Sequence, residues 1–256
     1  MASVPDDLAS LARALSAIGR GITLAGFAED VAYSNKLERG FDPVTRADRE
    51  CEQALRQAIE DRYPTHGIAG EELGERAGTS RWSWSLDPID GTRAYICGIP
   101  VWSTLIALLD EGQPVLGLID VPRLDELYIG HGHKAGLNGR GISTSGCRTL
   151  AEARLSTTDP YLFSRAEAER FDGLRAQVRV TRYGLDAYGY ALVAAGKLDL
   201  VVESGLKPHD YHALIPVVRA AGGTIGDWAG GEDFSAGAVI AAATRELYEA
   251  AVKAIR

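Results

Sequence analysis

Apolar residues recur at Leu8, Leu11, Leu15, Ile18, Ile22 and Ala25, and these steps of three and four lay one apolar face along a helix over residues 7–32. Gly19 and Gly21 weaken its middle. The same period returns at Ala47, Cys51, Ala54, Leu55, Ala58 and Ile59 and predicts a second helix over residues 45–61. Beyond it the pattern shortens to strand length, with runs at 68–69, 82–86, 103–109, 115–120 and 127–130. Asp110-Glu111-Gly112-Gln113-Pro114 reads as a hairpin turn between two of these runs. Helices followed by a mainly antiparallel sheet give residues 1–150 an α+β signature.

After residue 150 the two periods alternate. Strands are expected at 154–156, 178–182, 198–203, 224–227 and 238–242, and helices at 165–177, 186–195, 211–221 and 245–255. Such alternation makes residues 151–256 an α/β half whose helices cover a sheet. Pro216 falls inside the expected helix 211–221, where it should remove a hydrogen bond and kink the element. No repeat, low-complexity segment or long linker interrupts the pattern.

Composition narrows the function classes. At 256 residues, 46% hydrophobic and 24% charged, the chain has the make-up of an ordinary globular protein, as one large domain or two closely packed halves. A net charge of −8 with no basic run argues against general affinity for nucleic acid, so any phosphate recognition must be local and metal-assisted. Cys51, Cys97 and Cys147 are odd in number and lack Cys-x-x-Cys spacing, which fits a reducing compartment and a packing role. The first residues lack the basic segment and apolar run of a signal peptide, and the longest apolar runs are too short to span a bilayer. A soluble, cytoplasmic protein is therefore expected, with a small-molecule partner.

The chemistry concentrates in Leu86-Asp87-Pro88-Ile89-Asp90-Gly91-Thr92. Two carboxylates set this close repel each other unless a cation lies between them, and hard divalent ions take oxygen ligands. Gly91 allows backbone N–H groups to approach an anion, and a helix opening at Gly91-Thr92 would turn its free N–H groups toward a phosphate. Three further segments carry acids at the edges of regular elements: Gly70-Glu71-Glu72 after Ile68-Ala69, Asp42 through Asp48 ahead of the second helix, and His209-Asp210-Tyr211-His212 ahead of an apolar run ending at Gly222-Gly223. Loop-borne acids placed by a rigid scaffold are what a metal site requires.

In this order, Gly-Glu-Glu, Asp-Pro-Ile-Asp-Gly-Thr and a late Asp before a helix resemble the inositol monophosphatase superfamily over nearly the whole chain. Three stretches resemble its histidinol-phosphatase branch: Gly91 to Ile96 with Val101 to Leu109, Thr181 to Asp186, and Glu203 to Asp210. Two positions depart from the branch pattern, Ala187 in place of a cysteine and Phe41-Asp42 where a serine precedes the proline. The resemblance implies a layered α-β-α-β-α sandwich, a homodimer, lithium sensitivity and two or three Mg²⁺ ions per site. It places Glu71, Asp87 and the Ile89 carbonyl on one ion, and Asp87, Asp90 and Asp210 on a second. Glu71 and Thr92 would orient the attacking water, with Asp48 accepting a hydrogen bond from Thr92. Substrate would meet Gly91, Thr92, Asp90, Asp186, Glu203 and Asp210, the backbone N–H groups of Gly91 and Thr92 holding phosphate oxygens. The implied reaction is hydrolysis of L-histidinol phosphate in histidine biosynthesis, since two acids in a leaving-group pocket suit its cationic ammonium. Glu203, seven residues before Asp210, matches the superfamily's leaving-group contact.

The competing readings are an inositol or broader sugar phosphatase, and a silent metal-binding interaction module. His131-Gly132-His133 offers two imidazoles without a third ligand at helpful spacing, and reads as a hairpin tip. Trp82, Trp84, Trp102 and Trp228, with Tyr183, Tyr188 and Tyr190, are expected to pack in the core or at an interface.

Overall fold

The computed structural model describes residues 4–27, 32–38, 41 and 43–256. Helix α1 spans Asp6–Phe27, and the expected extension to residue 32 crosses positions 28–31, which lie outside the described residues, as does Asp42. Its buried face runs through Leu8, Leu11, Ala12, Leu15, Gly19 and Thr23, leaving Ile18 exposed. Gly19, read from sequence as a weakness, lies on the buried face of α1, where a Cβ would come within 3.4 Å of Cys51 Sγ and Thr104 Cγ2. A short ribbon follows, β1 (Tyr33–Asn35) against β2 (Pro43–Thr45), and then α2 (Arg46–Arg62). Thr45 and Asp48 close a capping box at the start of α2.

The large sheet is built from β3 (Gly67–Gly70), β4 (Gly74–Arg76), β5 (Trp82–Asp90), β6 (Ser103–Asp110), β7 (Gln113–Val121), β8 (Glu126–His131), β9 (Lys134–Leu137) and β10 (Arg140–Gly141), with the one-turn helix α3 (Thr92–Ile96) after β5. Their order is β10-β9-β8-β7-β6-β5-β3-β4, antiparallel except where β3 and β5 run parallel. The smaller sheet, ordered β12-β11-β13-β15-β14, alternates with helices along the chain: β11 (Arg154–Thr157), α4 (Arg165–Arg175), β12 (Val180–Tyr183), α5 (Ala187–Ala194), β13 (Leu200–Glu203), α6 (Pro208–Tyr211), α7 (Leu214–Ala220), β14 (Thr224–Asp227), β15 (Val239–Ala242) and α8 (Arg245–Ile255). The expected helix 211–221 is two helices with a break at His212-Ala213. The break falls four and three residues before Pro216, which has no N–H to return to the His212 carbonyl, and His212 and Ala213 both keep right-handed helical dihedrals, so the expected disruption is present.

Side chains that alternate along a strand belong to different cores. Along β6, Ile106 and Leu108 pack with α1 and α2, whereas Leu105, Ala107 and Leu109 pack with α5 and α7 on the opposite face. Along β13 and β15, Val201, Val239 and Ala241 join that same middle core, while Leu200, Val202, Ile240 and Ala242 pack with α4 and α8. The layers are thus α1/α2, large sheet, α5/α7, small sheet and α4/α8, the α-β-α-β-α order that the resemblance implies. Trp84 and Trp102 are fully buried core residues. Helix α7 lies directly on the large sheet: a Cβ at Gly117 would fall 1.9 Å from the Ala213 carbonyl oxygen, and one at Gly130 would fall 2.5 Å from Val217 Cα. Among the described residues no helix is long and apolar enough to cross a membrane.

Candidate active site

Strand β5 carries the Asp-Pro-Ile-Asp motif to its very end, farther than its apolar run suggested. Asp87 pairs with Leu105 and Asp90 with Ser103, so three steps along β5 match two along β6. That extra residue is a β-bulge. In a regular strand, residues three apart face opposite sides of the sheet. The bulge instead turns both carboxylates into one pocket, and the Pro88 carbonyl accepts the Thr104 hydroxyl at 2.8 Å.

Glu71 enters from the turn after β3, its N–H bonded to Leu86 O at 3.2 Å. Behind that turn stands Glu52 of α2, fully buried, accepting the N–H groups of Glu72 (2.7 Å) and Leu73 (3.1 Å) and the Arg56 guanidinium (2.7 Å). A Cβ at Gly70 would lie 2.1 Å from Glu52 Oε1, so a glycine is required for this carboxylate to hold the turn. Asp210 arrives on α6, with its Oδ2 accepting the Lys207 N–H at 2.6 Å. Asp87, Asp90 and Asp210 each offer an oxygen within 4.8 Å of the others, and among the described residues no other three His, Cys, Asp or Glu side chains converge in this way.

Burial, then the charges of neighbouring acids, raises the pKa of Asp87 and Asp90 well above the ordinary aspartate value; Asp210 is raised mainly by burial. Glu71 is held below its ordinary value. Burial works against its charge, but Lys36, bonded at 2.9 Å, outweighs it. The same Lys36 ammonium reaches Glu72 Oε1 at 2.5 Å. Asp87 Oδ1 is buried and has no hydrogen-bond partner among the described residues. An all-oxygen donor set with an unsatisfied buried carboxylate oxygen fits a hard divalent cation.

Other expected residues fall around the same pocket of about 590 Å³, which Glu71, Asp87, Ile89, Asp90, Gly91, Thr92, Asp186, Glu203 and Asp210 all line. Gly91 has φ +80 and caps α3, and a Cβ there would press on the Asp186 carboxylate at 3.0 Å. The expected bond from Thr92 to Asp48 is not what the structure shows. Thr92 donates to the Ile89 carbonyl at 2.9 Å, whereas Asp48 is drawn into the capping box, accepting the Thr45 N–H (2.8 Å) and hydroxyl (2.5 Å). Local bonds at two helix starts take both groups, and burial pushes Asp48 up to about 6.

Asp186 precedes α5 with φ 49 and ψ −143, a region that side chains rarely occupy. The adjacent Ala187 N–H donates to Asp90 Oδ2 at 2.7 Å, tying this conformation to the Asp-Pro-Ile-Asp motif. Burial lifts Asp186 to about 6, with Arg93 opposing the shift. Glu203 ends β13 and accepts the Thr158 N–H (2.7 Å) and hydroxyl (2.9 Å) and the Thr157 hydroxyl (3.3 Å). Burial pushes it to about 8, so in the bare pocket it is mostly protonated at neutral pH. Lys36 and Glu52 were missed by sequence reading, since one lies in an aperiodic segment and the other on the face of an ordinary helix. His131 and His133 stand at the β8–β9 hairpin, away from the pocket.

Glu203 gives a pH-dependent prediction. Its folded pKa is raised above the ordinary 4.5, so its contribution to stability is fully present below pH 4.5 and lost as pH rises toward 8. Glu203→Gln cannot ionise. Its melting temperature in chelator, relative to the parent, is expected to climb across that window and level off above it, the full gap being on the order of 3–5 kcal/mol. A constant difference between pH 5 and 9 would contradict the assignment.

A family model described as the inositol monophosphatase family matches residues 5–256. The bifunctional phosphatase IMPL2 of Arabidopsis thaliana is 50% identical over 74% of this chain and 56% of its own length, so the chain spans little more than half of that relative. A histidinol-phosphatase of Mycobacterium tuberculosis is 38% identical over 86% of each chain. The solved structure of an inositol monophosphatase from Zymomonas mobilis superposes with a TM-score of 0.88 at 40% identity, covering 99% of both chains.

Proposed function

The chain belongs to the inositol monophosphatase family, and from that premise we propose that this metal-dependent phosphatase hydrolyses L-histidinol phosphate to L-histidinol and phosphate. The observation that carries the substrate is the second carboxylate in the pocket wall: Asp186, held opposite Gly91 in a strained backbone conformation, stands with Glu203 in one cavity. Two acids in one cavity, Glu203 buried and Asp186 partly so, have a use for a cationic leaving group, whereas the hydroxyls of a polyol leave them without a counter-charge. The name of the Mycobacterium tuberculosis relative supports the same reading.

In this reading Glu71, Asp87, the Ile89 carbonyl, Asp90 and Asp210 hold Mg²⁺, which when bound polarises water and neutralises charge on the phosphoryl group. Glu71 accepts a hydrogen from the attacking water. Thr92, fixed by its bond to the Ile89 carbonyl, presents its backbone N–H with that of Gly91 toward the phosphate oxygens. Asp186, with a pKa of about 6, is mostly ionised at neutral pH and takes the ammonium directly. Glu203 starts protonated and gives up its proton as the cation arrives. Positioning and charge complementarity carry the reaction, since phosphoryl transfer needs little covalent work from the protein.

The test compares Mg²⁺-dependent kcat/KM on L-histidinol phosphate and myo-inositol 1-phosphate. The parent is expected to favour the former by about a hundredfold or more, roughly 2.7 kcal/mol of transition-state binding. Asp186→Asn should erase most of that preference, lowering histidinol phosphate turnover while leaving the inositol ester within about threefold, in line with the loss of one charge-assisted hydrogen bond. Comparable or reversed parental values retain the phosphatase and discard this substrate.

A further inference from the structure

Tyr190 is a buried hydroxyl that the fold itself does not use. It lies on α5, three residues after the Ala187 whose N–H binds Asp90, and is 2% exposed, its ring packed in the middle core. Its Oη is buried and has no hydrogen-bond partner among the described residues. It also lines the pocket. An orphaned buried hydroxyl destabilises a fold, so one retained at a cavity wall points to a partner that enters the cavity.

The neighbours decide which way this group works. Burial raises the phenol's pKa well above its ordinary value, and the nearby carboxylates of Glu203, Asp90 and Asp210 raise it further, so it keeps its proton. None of these acids lies within hydrogen-bonding distance of the hydroxyl, so its O–H stays free for a group that enters the cavity. The wall then offers two acids, Asp186 and Glu203, beside one neutral donor. We infer that the Tyr190 hydroxyl donates a hydrogen bond to a lone pair on the leaving group. This rests on the phosphatase reading above. For L-histidinol phosphate, whose ammonium has no lone pair, the acceptor is a neutral imidazole nitrogen, while the carboxylates take the ammonium. Tyr190 thereby reads the ring, and the acids read the charge.

The experiment measures Tyr190→Phe against the parent on L-histidinol phosphate and on 2-aminopropyl phosphate, which keeps the ammonium and lacks the ring. About a tenfold or greater loss of kcat/KM confined to the ring-bearing substrate is expected, the scale set by an unpaired polar group in a site built to bond it. The metal-free variant is also expected to melt a few degrees higher than the parent, because the phenyl ring removes an unsatisfied hydroxyl from the interior. Equal losses on both substrates, no loss on the ring-bearing one, or a lower melting temperature would overturn the inference. The last outcome would mean that the hydroxyl is satisfied within the fold. Should the parent prefer myo-inositol 1-phosphate, the substrate proposal fails on its own, and the same comparison runs between that ester and cyclohexyl phosphate, which lacks the acceptor oxygens.

Discussion

Asp87→Asn is expected to lower Mg²⁺-dependent kcat/KM by roughly a thousandfold or more while making the metal-free protein more stable than the parent. The two effects have one cause. Asp87 is buried beside Glu71, Asp90 and Asp210, and its raised pKa records the work of keeping those acids together without a cation. An amide of the same shape removes one of the repelling groups, so the melting temperature in chelator should rise. It also removes the charge that draws a divalent ion, so added Mg²⁺ should stabilise the parent and leave the variant nearly unmoved. Thermal melts with and without Mg²⁺, run beside phosphate release, check both halves. A variant with near-parental turnover, or one that loses stability in chelator, would sink the assignment of Asp87 as a metal ligand.

Gly117→Ala should destabilise the fold by about 3 kcal/mol or more, although it adds a single methyl group. A Cβ there would fall 1.9 Å from the Ala213 carbonyl oxygen, which is backbone and cannot turn aside. Accommodation requires the start of α7 to lift from the sheet, and Asp210 lies three residues before Ala213, so loss of stability should come with weaker Mg²⁺ binding. Gly132→Ala at the β8–β9 turn is the control. Its φ of +57 carries strain but nothing lies within 4 Å, and the expected cost is nearer 1 kcal/mol. Urea midpoints for the two variants decide the matter, and similar values would show that α7 does not rest on Gly117 as described.

Much of this architecture was legible because burial imposes periods. Helices α1 and α2, strands β6 and β7, and the alternation of the second half follow from repeats of 3.6 and 2. The elements that were missed are those without a period to betray them: the ribbon of β1 and β2, the three-residue β4, and the hairpin of β9 and β10, whereas α3 opens at Gly91-Thr92 as the motif suggested. Pro216 told more than the apolar period did: it has no N–H for the His212 carbonyl, and the break at His212-Ala213 falls one turn before it. Within the site, the acids stood out as motifs. Glu52 did not, since a glutamate facing a neighbouring turn has the same one-dimensional signature as one facing water. The partner chosen by Asp48 was illegible for a related reason: Thr45 and Thr92 were both chemically eligible, and the capping geometry selected the nearer.

The bulge in β5 makes chain length a functional quantity. Between Asp87 and Asp90 the strand spends three residues against two on β6, and that one-residue offset keeps both carboxylates on one face despite their odd spacing. A straightened strand of the same length would preserve every acid and every hydrogen-bonding type and still deliver the second carboxylate into the oil between α1, α2 and the sheet. This stretch tolerates changes of spelling that keep the bulge more readily than changes that flatten it.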